Sequence, residues 1–290
     1  MAGLSLCVGL VAVGLWFARD EPYRADLSKA LPAPTALAGA AAASVQDLVQ
    51  ALEAGDPIAA AELASAGDTA AGELLAGAAD NARVLRLRGI TARYVDEVGA
   101  VAQDGSWSAA IDLSWAVEGF DREPAHAEVL VDFAPVDERV AITGLGGGDR
   151  ISPLWLSGRL AVRRTPQALV MAGGPHAGRQ ARTYLQRVRR AIPVVRAVLT
   201  RWRPSVVVEV PSSSAALDDA LDVEDGTYAG IAAVTAAADG VARPGAPVRV
   251  FVNPEVTGRL RGAGAQVVIS HELVHVATDA TSAVLDPWLL

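Results

Sequence analysis

The chain has 290 residues, about half of them apolar, a formal net charge of −8 and a single cysteine, Cys7. That length allows one or two cores, at ~100–200 residues per domain. The acidic balance argues against a general nucleic-acid binder, and one cysteine excludes a disulfide framework. Lysine is nearly absent (only Lys29), so arginine carries the positive charge. With the abundant Ala, Gly and Val, this is the composition of a GC-rich bacterial coding sequence.

Residues Ala2 to Ala18 contain no charge and include Leu4, Leu6, Val8, Leu10, Val11, Val13, Leu15, Trp16 and Phe17. At ~17 residues the run reaches the lower limit for a membrane-spanning helix, and Trp16 sits where an interfacial aromatic would. The expectation is a single-pass transmembrane anchor over 1–18, with the rest of the chain extracytoplasmic. A signal peptide, which would want a basic start, and a buried helix are the competing readings. Residues 19–43 carry Pro22, Pro32 and Pro34 and a small-residue run from Ala38 to Ala43, which predicts an Ala/Pro linker.

From residue 44 to about 150 the pattern predicts an α+β domain. Ser44 starts a capped helix with Val45, Leu48, Val49 and Leu52 at helical spacing. Gly55-Asp56-Pro57 ends it and opens a second helix, Ile58 to Ala66; a third runs from about Asp68 to Ala82. Strands follow over Arg83–Val98, Trp107–Val117, His126–Phe133 and Arg139–Ile142, separated by Gly, Pro and Asp turns. Helices first and a curved antiparallel sheet afterwards resemble the NTF2-like cone. In such a cone Trp107, Trp115 and Phe120 can line a ligand pocket, although aromatics in alternating strands are more often core. Gly144 to Gly148 lacks the Lys-Ser/Thr of a phosphate loop and reads as the turn at the domain boundary.

Residues 151–290 predict a second α+β domain. A hairpin over Leu156–Arg163 and Ala168–Met171 leads into a long helical region, Ala177 to Trp202, interrupted by Pro193. Its arginines, from Arg179 to Arg203, read as a solvated face. Val206–Val210, Tyr228–Ala236 and Val248–Val252 predict strands, and Ser212-Ser213-Ser214 caps a short helix to Leu221.

The most informative segment is Val267-Val268-Ile269-Ser270-His271-Glu272-Leu273-Val274-His275-Val276-Ala277. Residues four apart share a helix face, so His271 and His275 can direct two imidazoles at one ion. Glu272 lies about 100° round from His271, where its carboxylate can take a proton from a metal-bound water without being a ligand. Two neutral nitrogen donors beside a base are what zinc-assisted hydrolysis needs. The pair uses two of only four histidines in the chain, the others being His126 and His176. Apolar residues all round the motif predict a buried helix.

This H-E-x-x-H segment resembles the gluzincin branch of the zincin metallopeptidases, with their peptidase-MA-like catalytic domain. The resemblance implies zinc as cofactor, His271 and His275 as ligands and Glu272 as general base. It also implies a peptide or protein substrate added as a strand to an exposed sheet edge, for which Ile231–Thr235 and Arg249–Asn253 are the two candidates. The family's third ligand is a glutamate on a following helix, expected here just after Asp286-Pro287-Trp288-Leu289-Leu290. Asp279 is a poor substitute, about 12 Å along the helix axis from His271. The expectation is therefore a membrane-anchored zinc metallopeptidase lacking its third ligand, with weak zinc binding and little or no activity as it stands. The alternative is a non-enzymatic membrane-tethered protein that binds a ligand through the NTF2-like domain.

Overall fold

The computed structural model describes residues 35–137 and 139–283. Among the described residues three helices come first: α1 (Ala38–Ala54), α2 (Pro57–Ala61) and α3 (Thr69–Leu85). Helix α1 begins inside the stretch predicted as linker. Alanine loses least on entering a helix, so the Ala38–Ala43 run belongs to α1. Ser44 is consequently no cap; its buried hydroxyl donates to the Val140 carbonyl at 2.6 Å and ties α1 to the sheet. Gly55, at φ +61°, closes α1 in the left-handed conformation that glycine tolerates. Asp56 and Asp68 cap α2 and α3 by accepting backbone N–H bonds, with Pro57 at the first position of α2.

The helices cover an antiparallel meander, β1 (Leu87–Val98), β2 (Trp107–Val117), β3 (Ala125–Val136) and β4 (Arg139–Leu145), in spatial order β1-β2-β3-β4. Its aromatics are core, not pocket. The Trp107 ring stacks on Phe133 at 5.5 Å and donates its indole N–H to the Tyr94 hydroxyl at 3.1 Å. Trp115 packs against Trp155 at 6.0 Å, and the Arg164 guanidinium lies over the Phe120 ring.

A one-turn 3-10 helix, Leu154–Leu156, leads to the second sheet. Asn81 of α3, buried, fastens this connection. It donates to the carbonyls of Trp155 and Gly158 and accepts from the Leu160 N–H, so its amide is satisfied at both ends. The second sheet comprises β5 (Ala161–Arg164), β6 (Ala168–Ala172), β7 (Val206–Val210), β8 (Ala233–Ala237) and β9 (Val248–Val252), in spatial order β5-β6-β7-β9-β8. Strands β6, β7 and β9 run parallel, and the two edges, β5 and β8, are antiparallel to their neighbours. Between them lie α4 (Ala177–Val198), which holds Pro193 internally, and α5 (Ser214–Leu221), capped by Ser213. The described residues close with α6 (Pro254–Arg259), α7 (Gly262–Thr278) and α8 (Ala280–Ala283).

Strand alternation sorts the second sheet's two faces. Ala168, Val170, Val206, Val208, Val250 and Val252 pack under α4 and α7, together with Ile269 and Leu273. On the opposite face, Leu169, Met171 and Val207 join the core of the first sheet, with Trp115, Trp155 and Phe133. The two sheets thus share one apolar core.

The expected transmembrane helix in the fold class is not supported. Among the described residues no helix is long and apolar enough to cross a membrane, and the run 2–18 on which the anchor was placed lies outside them. The single-pass membrane localisation drawn from that run loses its basis with it.

Candidate functional site

Helix α7 is positioned by α6, which precedes it, and by α4. Asn253 caps α6 through its side chain, with Pro254 at the first position and bonds from the Glu255 and Val256 N–H groups. The Tyr184 hydroxyl of α4 then meets Thr257 Oγ1 of α6 at 2.5 Å, and Arg187 reaches the Gly262 carbonyl at 2.9 Å. These bonds fix where α7 starts. Ile269 and Leu273 are fully buried against the sheet.

The helix is buried on one side only, which corrects the expectation from its apolar surroundings. Val267 is 68% exposed and Val274 42% exposed, one helical stripe with His271 between them. An apolar sequence requires burial only where an element is present to cover it, and no described residue covers this stripe.

His271 and His275 do converge. Their Nε2 atoms lie 3.0 Å apart, with ring centroids 4.6 Å apart and the planes nearly perpendicular. Two nitrogens bound to one tetrahedral zinc at ~2.0–2.1 Å would be separated by about 3.3 Å. The nitrogens, within hydrogen-bond distance of each other, are spaced close to what one ion needs. Glu272 turns the other way, is 5% exposed and accepts a hydrogen bond from Thr235 Oγ1 to Oε2 at 2.7 Å.

Thr235 belongs to β8, the edge strand, so of the two candidate edges the structure selects the Ile231–Thr235 region; β9 is interior. The strand is shorter than the predicted Tyr228–Ala236. Tyr228 falls in the preceding turn, where Asp218, almost fully buried, accepts the Gly226 and Tyr228 N–H groups. A cavity of about 590 Å³ lies between this strand and α7. His271, Glu272 and His275 line it on one side, and Tyr228, Ile231 and the small residues of β8 on the other. Burial and the neighbouring Asp218 carboxylate push the Tyr228 phenol above its ordinary pKa, so it stays protonated at neutral pH.

The expected metal-binding group is incomplete. Among the described residues no cluster of three or more His, Cys, Asp or Glu side chains is arranged to hold a metal. The two imidazoles fit half of a tetrahedral donor set, and Glu272, held by Thr235, lines the same cavity. Asp279 ends α7 in the left-handed conformation at φ +53°, and Asp286 lies outside the described residues. Of the remaining histidines, His126 is on β3 and His176 precedes α4; neither lines this cavity.

A second polar cluster, not anticipated from sequence, binds the back of the second sheet to the first. Arg249 of β9, 1% exposed, makes a two-pronged bond to Asp121 at 2.8 and 2.6 Å and lies 3.4 Å from Glu209 of β7. Asp121 also accepts the Val117 N–H at 2.7 Å. Next to it, Asp239 accepts from the His126 N–H and from Arg243, whose other nitrogen reaches the Pro124 carbonyl. Burial opposes the charge on Arg249, yet Asp121, Glu209 and Asp239 hold its pKa above the ordinary value. Burial pushes Glu209 up to about 7 despite the pull of Arg249. The sequence signal was available: single charges inside Val-Val-Val-Glu-Val and Val-Arg-Val-Phe-Val, on strands covered on both faces, must be paired.

No protein-family model matches this chain, and no curated protein matches it significantly in sequence.

Proposed function

We propose that the cavity beside α7 is the catalytic half-site of a zinc-dependent peptidase of the gluzincin type. The observation that carries this reading is the 3.0 Å approach of the His271 and His275 Nε2 atoms at the wall of a cavity that Glu272 also lines. Two imidazoles one helical turn apart at a cavity wall have the arrangement that a pair of metal-ligating histidines would need. The antiparallel edge strand β8 along the same cavity supports a peptide substrate, since its free N–H and C=O groups can pair with an extended chain.

When bound, zinc would supply an acidified water and a polarised scissile carbonyl. His271 and His275 would hold it as neutral nitrogen donors. Glu272 would take the proton of that water and pass it to the leaving amine. Tyr228, protonated at the far wall, is suited to bind a substrate carbonyl by hydrogen bond. A third ligand is required to complete the set.

The test uses the full-length protein, purified with zinc and offered an unstructured protein substrate. The expected results are one zinc per chain and measurable hydrolysis. Glu272→Gln should keep the zinc and lower kcat by about 100-fold or more. A wild-type protein without zinc, or a Glu272→Gln variant of undiminished activity, would contradict the proposal.

A further inference from the structure

Strand β8 presents Ala233, Thr235 and Ala237 to the α7 side and Val234 and Ala236 to the other. Thr235 is the one hydroxyl on that inward face, and it is only 7% exposed. Its Oγ1 lies 2.7 Å from Glu272 Oε2 and 3.3 Å from the Glu272 carbonyl oxygen. A hydroxyl has one proton to donate. The shorter contact and the carboxylate's charge assign it to Oε2. No hydrogen bond among the described residues engages Oε1. The threonine therefore fixes one oxygen of the carboxylate and leaves the other as the acceptor.

We infer that Thr235 is the positioning residue for Glu272, holding its carboxylate by Oε2 so that Oε1 is the atom that takes the proton. The inference rests on the function proposed above and deepens it. A buried carboxylate without a partner is costly. Removing the hydroxyl therefore leaves Glu272 to seek another rotamer and withdraws the base from the histidine side of the cavity. The same bond couples the edge strand to the base, since any shift of β8 carries the Oε2 anchor with it.

Thr235→Val keeps the shape and strand preference of the side chain and removes only the donor; Thr235→Ser retains it. Two measurements are made on the complete gene product. The first is a double-mutant cycle on unfolding with Thr235→Val and Glu272→Leu, read without reference to activity. The expected result is non-additivity of about tenfold in the folding constant. The second is steady-state kinetics. Thr235→Val is expected to lower kcat by about 10–100-fold, on the scale of a ~1 Å misplacement of a reacting group, with KM nearly unchanged. Thr235→Ser should recover most of the loss. Additive stabilities, or wild-type kcat in Thr235→Val, would overturn the inference alone. Strong coupling in the cycle with no Glu272-dependent hydrolysis in the wild type would overturn the proposed function and this inference with it.

Discussion

The seam behind the second sheet and the cleft between α7 and β8 handle polar groups in opposite ways. At the seam, Arg249 is surrounded by Asp121 and Glu209, and Asp121 takes a backbone N–H as well. Nearly every charge there is matched inside the protein, and the cluster is closed to water. In the cleft, two imidazole nitrogens face each other across 3.0 Å beside a cavity. A saturated buried cluster is explained by architecture: it registers one sheet on the other. In the cleft the two imidazoles meet each other at the wall of an open cavity, which is where the proposed metal would bind.

Substitutions at the two places should separate these roles. Asp121→Ala leaves the Arg249 guanidinium buried without its two-pronged partner, and loss of about 3–5 kcal/mol is expected in urea unfolding. If the variant proves nearly as stable as wild type, the seam is not what aligns the sheets. Glu209 provides a finer test. Its folded-state pKa of about 7 exceeds its ordinary 4.5, so between those values the folded protein holds the proton more tightly than the unfolded chain does. Its contribution to stability is greatest below that window and falls as pH rises through it. The slope should approach at most about 1.4 kcal/mol per pH unit. Glu209→Gln should flatten the dependence; an unchanged slope would remove Glu209 from the account. At the cleft, His271→Ala should alter metal-free stability by no more than about 0.5 kcal/mol, as for an exposed position. A cost of several kcal/mol would make the histidine pair structural and erase the contrast.

The motif helix was legible because histidine is rare in this chain and helical spacing alone puts His271 above His275. Strands such as Trp107–Val117, Val206–Val210 and Val248–Val252 were legible from β-branched and aromatic runs with turn residues at their ends. The start of α1 was hidden because alanine runs suit both a linker and a helix, and only packing against β1 and β4 decides. Helix α6 was missed although Asn253-Pro254 is a cap-and-first-turn pair, because it follows a strong strand directly. The shared core was invisible because alternation shows which residues are buried and not which sheet covers them. Thr235 stood out only as a hydroxyl within Ala-Val-Thr-Ala-Ala, and its partner lies 37 positions away.

The central claim is that His271 and His275 hold one metal ion between them. Zinc titration by calorimetry, on the complete gene product and its single histidine variants, tests it most directly. The account predicts one site per chain that disappears in His271→Ala and in His275→Ala and persists in His126→Ala and His176→Ala. Binding that survives loss of either motif histidine, or that follows His126 or His176, would contradict it.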